Sequence, residues 1–452
     1  MQNHKAKHRV LGLPLKRLVP VLALAFVFLQ ISFTTNAFGV APIQLWTTWS
    51  PDGEVMVLKR IEVDLLERPV TPLGLAGYAG KENSVYERLD PKNIDRLEES
   101  APEIFDGYRS EAGGYSRILS FTWRNLGCDS LTCLHFVNAG LLSLSILVIA
   151  VGVSLLGSPG LGWSWLAATA FSPWLTLAAR NLFWSPWLYY LPAIATVMFL
   201  LSRRRASRIV AAALIPLAFF LKYWGSGYRE FVTISIMAVS MPLIAWLFGQ
   251  SRFGSLKEAL TRVIWVTVSS MIGMSLALAV HAYWMSGSIG IGLRQIWEET
   301  VLRRTYGDPS NFIADYEPGL TSNPVLVVWD YIWPAWSTDL FTFNLDKHGS
   351  LWSIGIGYQA FAMLLLVAIL VPVWRVFTHD KRWIQDASLM SLAISSTVLW
   401  FLAAKGYAYV HTHLLFFVWY LFTIPAALFT VGRFVYGKSQ QIASRHRVLP
   451  PS

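Results

Sequence analysis

The chain has 452 residues, 54% of them hydrophobic and 14% charged, with a formal net charge of +10. That balance excludes an ordinary soluble domain and places the chain in the membrane class. The positive charge belongs to short basic connections that orient the chain and meet lipid headgroups, so nucleic acid is not an expected partner.

A spanning helix needs about 20 mostly apolar residues. By that measure the chain is an all-α integral membrane protein, a single polytopic domain over 1–452 with about ten transmembrane helices. The predicted spans are 18–38, 134–156, 163–178, 187–201, 209–221, 231–248, 263–280, 354–373, 387–404 and 414–431. The first exceeds a signal-peptide core and no Ala-x-Ala site follows, so it reads as an uncleaved helix. The fifth is short. Either Tyr223 and Trp224 complete it as interfacial anchors, or it pairs with the sixth as a re-entrant hairpin. Lys16 and Arg17, Arg203 to Arg205, Arg252 and Lys257, Arg375 to Arg382, and Arg433 and Lys438 mark alternate connections. With ten spans these all fall on the cytoplasmic side, together with both termini. Two large loops, 39–131 and 285–352, then face outward.

Both outer loops carry amphipathic helices. In the first, Val55, Leu58, Ile61 and Leu65 have helical spacing, which predicts a helix on the membrane or against the bundle. A second piece follows at 118–126. Cys128 and Cys133 sit where this loop meets the second span. A disulfide between them needs a non-helical turn through Asp129 and Ser130; the alternative is two free thiols. In the second loop Leu293, Ile296, Trp297 and Val301 can share one face. A turn-forming run at 305–311 and an apolar, interfacial stretch at 324–336 come after it.

Three groups of residues in these loops can carry chemistry. Asp52 and Glu54 follow the first span closely. Two such acids can hold a divalent cation such as Mg or Mn, or one can act as a general base on a sugar hydroxyl. The plainer alternative is a pair of solvated loop acids. Arg180, Lys222, Arg229, Arg303, Arg304 and Lys405 all lie outward, against the usual bias, and Tyr228 stands beside Arg229. Such cations grip phosphate, or else snorkel to lipid headgroups. His411 and His413 begin the last span, where imidazole can move a proton or donate to phosphate; two apart on a helix they face different ways. His281 is a weaker candidate at the end of another span. No nucleotide-binding Gly-rich loop, Gly-x-Ser-x-Gly or His-Glu-x-x-His motif is present in the sequence.

A polytopic chain with an acidic pair in a large first outer loop resembles the GT-C superfamily of membrane glycosyltransferases. The motif that carries the resemblance is Asp52-Gly53-Glu54. It implies a sugar donor carried on a polyprenyl phosphate or diphosphate, a glycan, lipid or protein acceptor, and transfer at the outer face. It also implies Asp52 as base, or as a metal ligand with Glu54. The chain is similar, too, to bacterial membrane proteins with a first-loop Pro-Asp-Gly and a last outer loop of the form Lys-Gly-His-Ser-Tyr-Ile-His-Thr-His. Here these read Pro51-Asp52-Gly53 and Lys405-Gly-Tyr-Ala-Tyr-Val-His-Thr-His413, with Tyr407 in place of the first His. This resemblance implies a bacterial plasma-membrane location. A transporter or flippase for a lipid-linked or small polar substrate is the competing expectation. It would place ionisable or broken-helix sites near the membrane midplane.

Overall fold

The structure is a computed structural model that describes residues 9–46, 49–67, 72–76, 84–90, 107–249, 253–312, 316–332, 341–344, 353–356, 360–411 and 415–447. Apart from two short antiparallel strand pairs it is all-helical. In chain order the principal helices are α1 (Leu15–Thr35), α2 (Pro51–Leu65), α3 (Gly114–Asn125), α4 (Leu131–Leu155), α5 (Pro159–Ala170), α6 (Pro173–Arg180), α7 (Trp187–Leu201), α8 (Arg205–Ser226) and α9 (Phe231–Gly249). Then come α10 (Leu256–Ser286), α11 (Ile289–Ile296), α12 (Glu317–Thr321), α13 (Pro324–Ile332), α14 (Ala360–Phe377), α15 (Trp383–Ala403), α16 (Lys405–Val410) and α17 (Thr423–Arg447).

Local chemistry sets the starts and stops. Ser130, Ser158, Ser172 and Ser255 each cap a helix, the hydroxyl accepting a backbone N–H three residues on. Pro51, Pro159 and Pro173 occupy first helical positions, where the missing N–H costs nothing. Asn36 and Gly287 end α1 and α10 in the left-handed conformation.

Seven helices, α1, α4, α8, α9, α10, α14 and α15, are long and apolar enough to cross a membrane, the mark of an integral multi-pass membrane protein. Their faces support this. Only 28% of the apolar part of α10 is buried, and Ile264, Met271 and Leu276 are each more than half exposed. An apolar stripe on that scale needs a lipid solvent. The other three predicted spans are present in shorter or broken form. The run 163–178 splits into α5 and α6, because Ser172-Pro173 stops one helix and caps the next. Helix α7 has 15 residues, and the last run breaks at Phe422 before α17 begins. The short fifth run extends to a 22-residue helix, α8, that includes Tyr223 and Trp224.

Helix α4 packs on α1, α5 and α7; α8 lies between α7 and α10, and α9 packs on α15. Some polar groups tie the bundle together from inside. Asn138 of α4, fully buried, donates to the Ala179 and Asn181 carbonyls and accepts from the Tyr115 hydroxyl. Above one end of the bundle, α2 is buried along most of its length against α3 and Ser84–Arg88. Its polar residues are tied down: Arg60 to Asp64 at 2.6 Å, and Glu62 to Arg88. The helix expected from Val55 onward thus packs against protein, and it starts four residues earlier, at Pro51. At the same end α16 meets α12, α13 and the turn Leu302–Arg304, so the second large loop lies over the last outer connection. Cys128 and Cys133 form a disulfide across Asp129 and Ser130, which are non-helical.

Candidate functional site

Where the two large loops meet, a cavity of about 60 Å³ is lined by residues from distant parts of the chain. Asp52, Gly53 and Met56 come from α2, Tyr108 and Glu111 from the loop before α3, and Phe183 and Trp184 from the loop after α6. Arg303 and Arg304 follow α11, and Tyr407 and His411 close the cavity from α16 and its end.

Asp52 is placed by the helix that begins at Pro51. Ser50 holds the entry, its Oγ accepting the Trp184 indole N–H at 3.0 Å and its carbonyl accepting the Asn181 amide at 2.9 Å. Gly53 lets the Phe183 ring lie against the helix; a Cβ there would fall 2.5 Å from that ring. Asp52 is exposed to the cavity and makes no hydrogen bond or ion pair among the described residues. Glu54 has the opposite fate. It is buried and receives His135 Nε2 at 2.8 Å, the Leu182 amide at 3.1 Å and the Tyr86 hydroxyl at 3.1 Å. Burial pushes its carboxyl up, but His135, Leu182 and Arg180 outweigh that and hold it below the usual carboxylate range. Glu54 is thus held by the surrounding protein, while Asp52 lines the cavity. Among the described residues no three His, Cys, Asp or Glu side chains gather as a metal site.

The cationic wall is built on Glu111. Its Oε1 meets Arg229 Nε at 3.0 Å and Arg304 Nη2 at 3.2 Å. Gly227, at φ 75°, admits this carboxylate where any side chain would collide with it. Arg303 instead donates to Ser110 Oγ at 2.8 Å and lies over the Tyr316 ring. A π-helical turn, Trp297–Val301, precedes the two arginines. Such a turn re-aims the residues after it and recurs at functional sites. Several guanidinium nitrogens remain without a hydrogen-bond partner among the described residues: Arg303 Nε, Arg304 Nε and Arg229 Nη1. Burial pushes the Arg304 guanidinium down, yet Glu111 beside it raises it further still, so it stays charged. His411 stacks on Tyr407, ring centroids 4.2 Å apart, and its Nδ1 lies 2.9 Å from the Tyr407 carbonyl. A carbonyl only accepts, so Nδ1 carries a proton.

The remaining expected residues go elsewhere. Arg229 lies beneath the cavity, over the Phe183 and Trp184 rings. Lys222, fully buried, donates to the Gly227 and Arg229 carbonyls, and Lys405 to those of Leu320 and Ser322, so both lysines brace loops. Arg180 donates to the Trp46 carbonyl at 2.8 Å. The Tyr228 hydroxyl meets His281 Nδ1 at 3.3 Å, and His281 Nε2 meets the Arg109 carbonyl. His413 lies outside the described residues. Glu111, Tyr108, Tyr316 and His135 carry the site's geometry without having been singled out. The signal for Glu111 was its place as the lone acid of the Tyr108–Tyr115 segment, just before the Gly113-Gly114 pair.

Set against known protein families, curated proteins and solved structures, the chain matches none.

Proposed function

We propose that the chain is a GT-C-type membrane glycosyltransferase of the bacterial plasma membrane, with both termini cytoplasmic and the cavity at the outer face. It moves a sugar from a polyprenyl phosphate or diphosphate donor to a glycan, lipid or protein acceptor. One observation carries this reading: an uncommitted carboxylate, Asp52, faces Arg303, Arg304 and His411 across one small cavity. Asp52 takes the proton of the acceptor hydroxyl. The two arginines stabilise the charge that develops on the leaving phosphate, and His411 lines the same cavity. Glu54 orders the loop and takes no part in the reaction.

The transporter reading expects ionisable groups along a path at mid-depth. The buried Lys222 and Asp386 instead lie toward helix ends, Lys222 near the end of α8 and Asp386 in the first turn of α15, which favours the enzyme.

The decisive experiment is reconstitution with radiolabelled lipid-linked sugars, following both covalent transfer and movement between leaflets. Transfer abolished by Arg304→Gln is the expected result. Leaflet exchange without any new glycosidic bond would replace this reading with the flippase. Orientation is tested by labelling a Ser84→Cys variant (with Cys128 and Cys133 kept paired) in intact cells, where an impermeant reagent should reach it.

A further inference from the structure

Resting on that reading, we infer that the donor is carried on a single phosphate and not on a diphosphate, and that its sugar lies in a neighbouring cavity beyond Arg303.

Size is the first argument. An apolar cavity of about 150 Å³ accepts one benzene ring. The cavity between Asp52 and Arg304 measures about 60 Å³, room for one tetrahedral group. Neither a diphosphate nor a sugar ring fits there. A second cavity of about 700 Å³ shares Arg303 with it and is lined by Glu298, Glu299, Asn311 and Phe312. Carboxylate and amide oxygens suit sugar hydroxyls, and the Phe312 ring offers an apolar face. Arg303 thus divides a space for one phosphate from a space for a ring.

Charge is the second, independent argument. Arg303, Arg304 and Arg229 stand against Glu111 and Asp52. Among these five groups three cations against two anions leave one positive charge. A phosphodiester donor brings one negative charge and balances it. In the transfer, the bond from the anomeric carbon to the phosphate oxygen breaks and the phosphate keeps the electron pair. The acceptor oxygen bonds to that carbon, and its proton passes to Asp52. Asp52 is then neutral, the wall is doubly positive, and the leaving phosphate monoester carries close to two negative charges. The balance holds before and after. A diphosphate carries one charge too many at each stage.

The test is equilibrium binding of farnesyl phosphate and farnesyl diphosphate to the full chain in detergent. The inference expects farnesyl phosphate to bind at least about tenfold more tightly. Arg304→Gln should abolish that binding. Asp52→Asn, which removes a negative charge without touching the Glu111 pairs, should tighten both ligands and narrow the preference; its thermal unfolding checks that it is folded. Equal or tighter diphosphate binding that still depends on Arg304 would overturn the single-phosphate inference and leave the glycosyltransferase reading standing. Binding of neither, or binding indifferent to Arg304→Gln in a folded variant, would overturn both.

Discussion

Both ends of the helix bundle hold a cluster of arginines and carboxylates, and the two differ in what is left unpaired. At the loop-free end, Asp386 lies 2.9 Å from Arg375 and 3.1 Å from Arg433, while Asp380 meets Arg375 at 3.2 Å and Arg382 at 2.8 Å. Every carboxylate there touches a guanidinium. At the loop end, among the described residues, Glu111 is shared by Arg229 and Arg304, Arg303 donates to a hydroxyl, and Asp52 faces the cavity without an ion pair. The first arrangement closes on itself and ties α14, α15 and α17 together. The second leaves an acceptor and several donors facing the same empty space, which is what a ligand with both a hydroxyl and a phosphate requires. Two clusters of similar composition are thus told apart by pairing.

Removing the unpaired carboxylate should have the largest effect. Asp52→Asn is expected to lower transfer by about 10²–10⁴-fold, the usual contribution of a general base, with unfolding temperature unchanged. Near-normal turnover would place the base elsewhere.

The paired end should respond in the opposite way. Asp386→Asn leaves Arg375 and Arg433 without their shared carboxylate, and breaking a buried pair costs about 3–5 kcal/mol. Thermal or denaturant unfolding should show that loss, while farnesyl phosphate binding by the folded fraction stays at wild-type strength. A fall in binding equal to that of Arg304→Gln would erase the distinction between the ends.

These contrasts were only partly legible in the sequence. Hydropathy located the seven long apolar helices, because lipid demands long uninterrupted stretches; the other three expected spans are short or broken helices. It could not foresee that Ser172-Pro173 would divide one of them. Asp52, Arg303, Arg304 and His411 stood out as polar residues at a membrane boundary, and the fold gathers them. Lys222 and Lys405 stood out for the same reason, yet their ammonium groups cap loop carbonyls, and residue type alone cannot separate the two uses. The different directions of Asp52 and Glu54 had a sequence signal. Pro51 followed by two acids is a helix start, and residues two apart on a helix point about 200° apart. Reading the segment as a loop concealed that one of the pair must turn inward. Glu111 gave little sign of itself, since its importance comes from two arginines more than a hundred residues downstream in the chain.

Glu54 supplies a prediction of intermediate size. Its carboxyl is held below its ordinary value in the folded chain. The stabilisation is therefore complete above the unfolded value, near 4.3, and is lost as pH falls through the lower folded value. Glu54→Gln should lower the unfolding temperature at neutral pH and flatten the acid limb of its pH dependence. An acid limb identical to wild type would mean that Glu54 is not the charged partner of His135.

The smallest effect belongs to the disulfide, and it bears on which end faces which compartment. Cys128 and Cys133 are five apart. The chain-entropy estimate for so short a loop is about 2 kcal/mol, well below the stabilisation given by long loops. The turn has other support, since Ser130 caps α4 through the Cys133 amide and its carbonyl accepts from Leu134. Cys128→Ser with Cys133→Ser should therefore cost about 2 kcal/mol or less and leave phosphate binding unchanged. The pair's redox state in intact cells is the more telling measurement. A disulfide persists in an oxidising outer compartment and is reduced in the cytoplasm, so alkylation before and after reduction reports the side on which the loop end lies. Thiols found free in untreated cells would put the cavity in the cytoplasm and overturn the outer-face reading, whatever the activity of the variants.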